Sequence, residues 1–269
     1  MCTLALYFRQ LDSTPLMVAA NRDEFYSRPS VPPQALLYSP LIYGGKDLRA
    51  GGTWLGVNQH GLLVGILNRR SDGASDRAGN RSRGLLCLDI LKAPNPMEAT
   101  ELLRRERASA YLPFNLLIAN RENACVAYNQ DEKIEMIPLD QGIHVISNTS
   151  IFDPRTEKMN LAYRLFLDAA TRLREAGGSF TEENSAPDNP GEQGQPPWLN
   201  FFKAALSSHQ PGREAKDPRD AICVHADQYG TVSSSIIFYS SRERQFHYYH
   251  APSAPCRSEF VKYPSLEVL

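Results

Sequence analysis

Cys2 is the residue of this chain with the most chemistry open to it. Trimming of Met1, which the small Cys2 side chain would allow, leaves a thiol and a free α-amine on one carbon. The amine's ordinary pKa is about 8 and the thiol's about 8.5. An amine of that strength can act as general base for its own side chain, the arrangement of an N-terminal nucleophile. A second polar group, Asn21-Arg22-Asp23-Glu24, follows directly on the apolar run Leu16-Met17-Val18-Ala19-Ala20. An Arg–Asp pair there can hold and tune a thiolate, and amides at strand ends can donate to a developing oxyanion. Asn68 closes one apolar run and Ser147-Asn148 another. Five arginines, Arg69, Arg70, Arg77, Arg81 and Arg83, lie in a Gly- and Ser-containing stretch whose guanidinium groups suit a carboxylate or phosphate. Each signal has a plainer reading: a small buried hydrophobe for Cys2, turn formers for the asparagines, and a solvated loop for the arginines.

These residues need elements to carry them. Cys2, Leu4, Leu6 and Phe8 alternate with Thr3, Ala5, Tyr7 and Arg9, the period of a strand. Leu16–Ala20 is the expected hairpin partner, ending where Asn21 begins, and a proline-spaced loop runs on to about Pro40. Thr53–Val57 and Leu62–Leu67 form a second hairpin around Asn58-Gln59-His60-Gly61. Helices are expected over Leu85–Leu91, from an Asn95-Pro96 cap to about Ala108, from an Asp153-Pro154 cap to Gly177-Gly178, and over Trp198–Leu206. Strands are expected at Phe114–Ala119, Ala124–Tyr128, Lys133–Ile137 and Ile143–Ile146. A further hairpin joins Ala221–His225 to Thr231–Tyr239, and Gln245–His250 is read as the final strand before a proline-spaced tail. Residues 182–197 cannot pack a core and read as a surface linker within a single domain spanning 1–269. Strands at both ends with helices between them argue for α+β with antiparallel sheets, not a parallel doubly wound sheet.

Composition narrows the classes. The chain has 269 residues, 42% hydrophobic and 22% charged, as an ordinary globular protein does. A net charge of −1 gives no general reason to expect nucleic acid. No apolar run approaches the roughly 18 residues of a membrane helix, and no signal-peptide pattern is present. Five cysteines, widely scattered and without a C-x-x-C pair, point to reduced thiols and a cytoplasmic location. The six histidines make no ligand pattern; Cys223 and His225 alternate onto one face, but two candidates do not make a metal site. No metal and no cofactor is therefore expected. Phosphate loops, G-x-S-x-G elbows and H-E-x-x-H pairs are absent.

Met1-Cys2-Thr3, Ala20-Asn21-Arg22-Asp23-Glu24-Phe25, Gly51-Gly52-Thr53-Trp54-Leu55-Gly56, Ser147-Asn148 and Tyr229-Gly230-Thr231 together resemble the NRDE family, which includes the transport and Golgi organisation protein 2 homologues. That family in turn resembles N-terminal nucleophile hydrolases of the choloylglycine hydrolase and penicillin acylase type. The resemblance implies a four-layer αββα sandwich. It implies Cys2 as nucleophile with its amine as base, and Asn68 and Asn148 as residues that bind the oxyanion and position the amine. In those hydrolases the site Arg and Asp lie three apart, whereas Arg22 and Asp23 are adjacent. Whether Asp23 or Glu24 faces the thiol, and whether Arg22 points into the site, stays open at this level. Members of the family have been linked to handling of haem and of acyl-coenzyme A or lipids.

The leading expectation is a hydrolase of a nonpeptide C–N bond acting through a Cys2 thioester, with Arg22 and Asp23 in the site. Asn21, Glu24, Arg69 and Arg70 are expected to contact a small-molecule amide. The rival is a carrier on the same fold for an anionic amphiphile such as haem or acyl-coenzyme A. Cys2 is expected to be the most reactive thiol, its pKa lowered by a nearby cation and its own ammonium. The first requirement is directly measurable. Intact mass of the native protein should show Met1 removed, and a retained Met1 would leave the thiol without its base.

Overall fold

The computed structural model describes residues 2–11, 13–69, 81–130, 132–148, 157–177, 180, 195–211 and 217–269. Two antiparallel sheets face one another. The first contains β1 (Thr3–Leu11), β2 (Thr14–Phe25), β10 (Gly142–Ile146), β11 (Tyr229–Ser240), β12 (Gln245–Ala251) and β13 (Val261–Glu267), in the order β10-β1-β2-β11-β12-β13. The second runs in sequence order from β3 (Ser30–Tyr38) through β4 (Leu41–Asp47), β5 (Leu55–Asn58), β6 (Leu63–Asn68), β7 (Phe114–Ala119) and β8 (Ala124–Gln130) to β9 (Lys133–Pro138).

Alternation along the strands builds the layers. Leu4, Leu6 and Phe8 of β1 pack with Leu16 and Val18 against Leu55, Val57, Leu63 and Leu117 of the other sheet. The intervening Ala5 and Tyr7 turn outward onto α3 (Glu157–Glu175) and α4 (Pro197–Leu206), meeting Ala162, Phe166, Leu199 and Phe202. Ile42, Val64, Leu116 and Ile118 face the opposite way, onto Leu86, Cys87 and Ile90 of α1 (Arg83–Ile90) and Ala99 and Leu103 of α2 (Pro96–Arg104). The result is helix, sheet, sheet, helix: the αββα sandwich. Both faces of β1 are buried, each large apolar side chain contributing on the order of 1.5–3 kcal/mol. No helix of the described residues is long and apolar enough to cross a membrane.

Several sequence expectations change. The polar run at 21–24 lies inside β2, which continues to Phe25 because β11 supplies its partners: Asp23 pairs with Thr231 and Glu24 with Gly230. The expected loop to Pro40 is instead β3 and the start of a β3–β4 hairpin, an edge position that tolerates Pro32 and Pro33. Residues 221–225 make only one bridge, His225 to Gly230, since β11 is already flanked by β2 and β12. The proline-spaced tail holds β13, paired to β12. The Asp153-Pro154 cap and residues 182–194 of the linker lie outside the described residues. The linker's end is anchored: the Gln195 amide donates to the Phe260 carbonyl at 2.9 Å, and Pro197 begins α4.

Gly52 ties the helix layer to the site. A Cβ there would lie 2.1 Å from the Gly84 carbonyl carbon, while Thr53 N–H donates to Gly84 O at 3.0 Å. Gly52→Ala must therefore push α1 away from the turn after Asp47. It is expected to lower unfolding free energy by about 1–3 kcal/mol in urea titration; an unchanged midpoint would mean the contact yields freely.

Candidate active site

Cys2 stands just before β1, on the face that looks between the sheets. Thr3 pairs with Asn21 and Leu4 with Ile146. Continued to the chain start, that register sets Arg22 on one side of Cys2 and Asn148 on the other. The Asp23 N–H donates to Cys2 Sγ at 3.3 Å, and Sγ lies 3.6 Å from the Asp23 carbonyl oxygen. The Tyr229 hydroxyl donates to that same carbonyl at 3.1 Å. The thiol is thus held by main chain as well as by its own strand.

With Met1 still attached, the Cys2 pKa is raised, not lowered. Burial pushes the thiol up and the Asp23 carboxylate adds to it, outweighing the N-terminal ammonium, the Asp23 N–H and the Arg22 guanidinium. Of the two acidic candidates Asp23 is the one whose charge acts on Cys2. Its carboxylate accepts the Thr231 hydroxyl at 2.6 Å, and Glu24 pairs with Arg28 at 3.0 Å. A raised thiol makes a base necessary. In the 269-residue chain the nitrogen of Cys2 is a peptide amide and supplies none. Exposure does not single Cys2 out either, since Cys256 is the exposed thiol; burial pushes Cys125 up to about 11 and Cys87 higher still.

Asn21, Arg22, Asp23 and Glu24 are all buried, and each is answered. The Asn21 amide donates to Leu206 O and Ile222 O, both at 2.9 Å, and accepts the Ser234 hydroxyl at 2.5 Å. That fixes it toward α4. Arg22 donates to Asp47 at 3.0 Å and to the Ser30 hydroxyl at 3.2 Å, with its guanidinium carbon 4.4 Å from the centre of the Trp54 ring. Arg28 reaches the same Asp47 oxygen at 2.7 Å. Asp47 is presented by a tight turn: Gly51 has φ +77°, and the Ala50 N–H donates to the other carboxylate oxygen at 2.8 Å. Burial raises the Asp47 pKa, but Arg28, the Ala50 N–H and Arg22 together hold it below the ordinary carboxylate range.

A cleft of about 360 Å³ opens over Cys2. Arg22, Asp23, Glu24 and Asn68 line it with Cys2, so five of the residues singled out by sequence come together. Asn68, exposed at the end of β6, makes no side-chain hydrogen bond to a described residue. Asn148 is buried and does not line the cleft. Arg69 turns away, donating to the Asn129 carbonyl over the Tyr128 ring. Arg70 and Arg77 lie outside the described residues. Arg81 and Arg83 do reach the cleft, joined by Arg28, Arg49, Trp54 and Leu112. Burial and the neighbouring Arg28 lower the Arg83 pKa. Sequence reasoning missed Arg28 and Asp47; the glycine pairs at 44–45 and 51–52 bracketing Asp47 are the signal that marks it.

Known proteins share this framework. A family model described as Transport and Golgi organisation 2 matches residues 1–251. The chain is similar to the Transport and Golgi organization protein 2 homologs of Bos taurus and Homo sapiens, each 29% identical over 243 residues, covering 82% of this chain and 81% of the relative. Among solved structures, a Caenorhabditis elegans N-acylethanolamine-hydrolyzing acid amidase ortholog superposes with a TM-score of 0.52 at 13% identity, covering 98% of this chain and 100% of that one. At that identity the likeness is one of fold, the N-terminal nucleophile hydrolase sandwich.

The Arg22–Asp47–Arg28 cluster gives a pH signature. Asp47's pKa is depressed on folding, so its contribution is complete above the ordinary carboxylate value of about 4 and is lost as pH falls through the lower folded value. Asp47→Asn leaves the buried Arg22 guanidinium without its carboxylate, while Arg28 keeps Glu24, and should cost about 3–5 kcal/mol at neutral pH. Urea unfolding from pH 7 to pH 2 should show wild type converging on the variant in acid. Parallel curves would remove the cluster from the stability account.

Proposed function

As the chain belongs to the Transport and Golgi organisation 2 family, on the sandwich fold of the N-terminal nucleophile hydrolases, we propose that it hydrolyses a nonpeptide amide through Cys2. The observation that carries this reading is the Cys2 thiol, positioned by the Asp23 main chain within a cleft that also holds Asn68, Arg22 and Asp23. After removal of Met1 the freed amine takes the thiol proton, and the thiolate adds to the amide carbonyl carbon. Asn68 donates to the resulting oxyanion, and Asn148, which the β1–β10 register continued past Leu4 sets opposite Cys2, positions the amine. The intermediate collapses with cleavage of the C–N bond, and the ammonium returns its proton to the departing amine. Water, deprotonated by the same group, then adds to the thioester and releases the acid and the thiol.

Arg49 and Arg83 beside Trp54 and Leu112 favour a substrate that joins an acidic group to an apolar body. The same lining supports a second reading, a carrier for an anionic amphiphile such as haem or acyl-coenzyme A. Cys2→Ala separates the two. Across a panel of acyl amides the hydrolase reading expects turnover by wild type, its loss in Cys2→Ala, and a fall of on the order of a hundredfold or more in Asn68→Ala. No turnover of any amide, with haem or acyl-coenzyme A bound equally by wild type and Cys2→Ala, would favour the carrier instead.

A further inference from the structure

A second concentration of reactive side chains gathers four residues that do not line the cleft. His209 follows α4, Cys223 and His225 belong to the segment leading into β11, and Cys256 sits in the β12–β13 connection. One ligand atom from each of the four falls within 4.8 Å of the others. Sequence spacing gave no sign of this, because the ligands come from three separate connections. From the chain alone only Cys223 and His225 looked like neighbours, and no metal was expected.

The distances match a coordination polyhedron. Cys223 Sγ and Cys256 Sγ are 3.7 Å apart; His225 Nε2 lies 3.7 Å from the first and 3.2 Å from the second. Zinc bonds of about 2.3 Å to sulfur and about 2.0–2.1 Å to nitrogen put tetrahedral edges near ~3.8 Å for sulfur–sulfur and ~3.5 Å for sulfur–nitrogen. Three of the six edges are therefore already close to that geometry. The His209 ring stands 5.0 Å from the His225 ring, centre to centre. Its Nδ1 is 3.2 Å from the Cys223 carbonyl oxygen. A carbonyl only accepts, so that nitrogen carries the hydrogen and the other ring nitrogen keeps its lone pair. Metal-bound imidazoles are commonly held this way. Two thiolates balance a dication, so the site is neutral when filled and the neighbouring Arg257 does not oppose it.

We propose that His209, Cys223, His225 and Cys256 form a structural zinc site of the Cys2His2 type. Zinc, and not calcium or magnesium, follows from the sulfur and imidazole donors. All four positions are filled by protein, which marks a structural site rather than a catalytic one. The ion would clamp the end of α4 and the β12–β13 connection onto the segment 223–225. That segment bears on Asp23. The Val224 N–H donates to the Thr231 hydroxyl oxygen at 2.9 Å, and that hydroxyl donates to Asp23 at 2.6 Å.

The test uses full-length protein purified under reducing conditions without chelator. Elemental analysis should find one zinc per chain. Cobalt substitution should give the intense visible bands of a tetrahedral ion with near-ultraviolet thiolate charge transfer. Cys256→Ser and His209→Gln both change exposed positions and should keep the fold by circular dichroism. Each should lose zinc at least tenfold more readily to a chromophoric chelator, and each should lose the zinc-dependent rise in Tm. Reduced wild type that takes up no zinc or cobalt would overturn the proposal. So would a cobalt spectrum without thiolate bands, retention unaffected in both variants, or metal-free protein whose mass and peptide map show a Cys223–Cys256 disulfide.

Discussion

Placing charged and amide side chains inside a buried strand is the constraint on which the rest of the structure depends. Asn21, Arg22, Asp23 and Glu24 lie in β2 between β1 and β11, where an unanswered charge would cost several kcal/mol. The fold answers each from a different place. Leu206 and Ile222 meet Asn21, the turn at Asp47 meets Arg22, Thr231 meets Asp23, and Arg28 meets Glu24. The turn after β4, the end of α4 and the start of β11 are thereby fixed relative to β2, and so to Cys2 beside it.

That arrangement explains the state of the thiol. Cys2 gains an N–H donor and a nearby guanidinium, but it also gains burial and the carboxylate of Asp23, and the latter pair prevails. Burial and that carboxylate therefore favour the neutral thiol. On the hydrolase reading we propose, the base is the α-amine of Cys2, which exists only once the peptide bond to Met1 is cleaved.

The layers were legible from the chain because alternating apolar residues at Leu4–Phe8 and Phe114–Ala119 leave little choice of face, and the fold class follows from their antiparallel order. The residues around Cys2 were legible in part. Asn21 to Glu24 announced themselves as polar residues joined to an apolar run, yet Asn21 turns to the helices while Arg22, Asp23 and Glu24 line the cleft. Arg69 was drawn off by the Asn129 carbonyl and Tyr128. Asp47 and the His209–Cys223–His225–Cys256 group were illegible for one reason: each depends on contacts between chain segments far apart in sequence. Strand ends could be read from composition, whereas the extension of β2 to Phe25 required knowing that β11 lies alongside it.

The most direct test of the central claim is the rate at which Cys2 is acylated, followed by intact mass and peptide mapping with an activated acyl donor. It should be compared in protein beginning at Cys2 and in protein whose Cys2 amine has been blocked. The account predicts a thioester on Cys2 in the free-amine protein and essentially none when the amine is blocked, since the buried thiol then lacks its base. Equal acylation of Cys2 in both would contradict it.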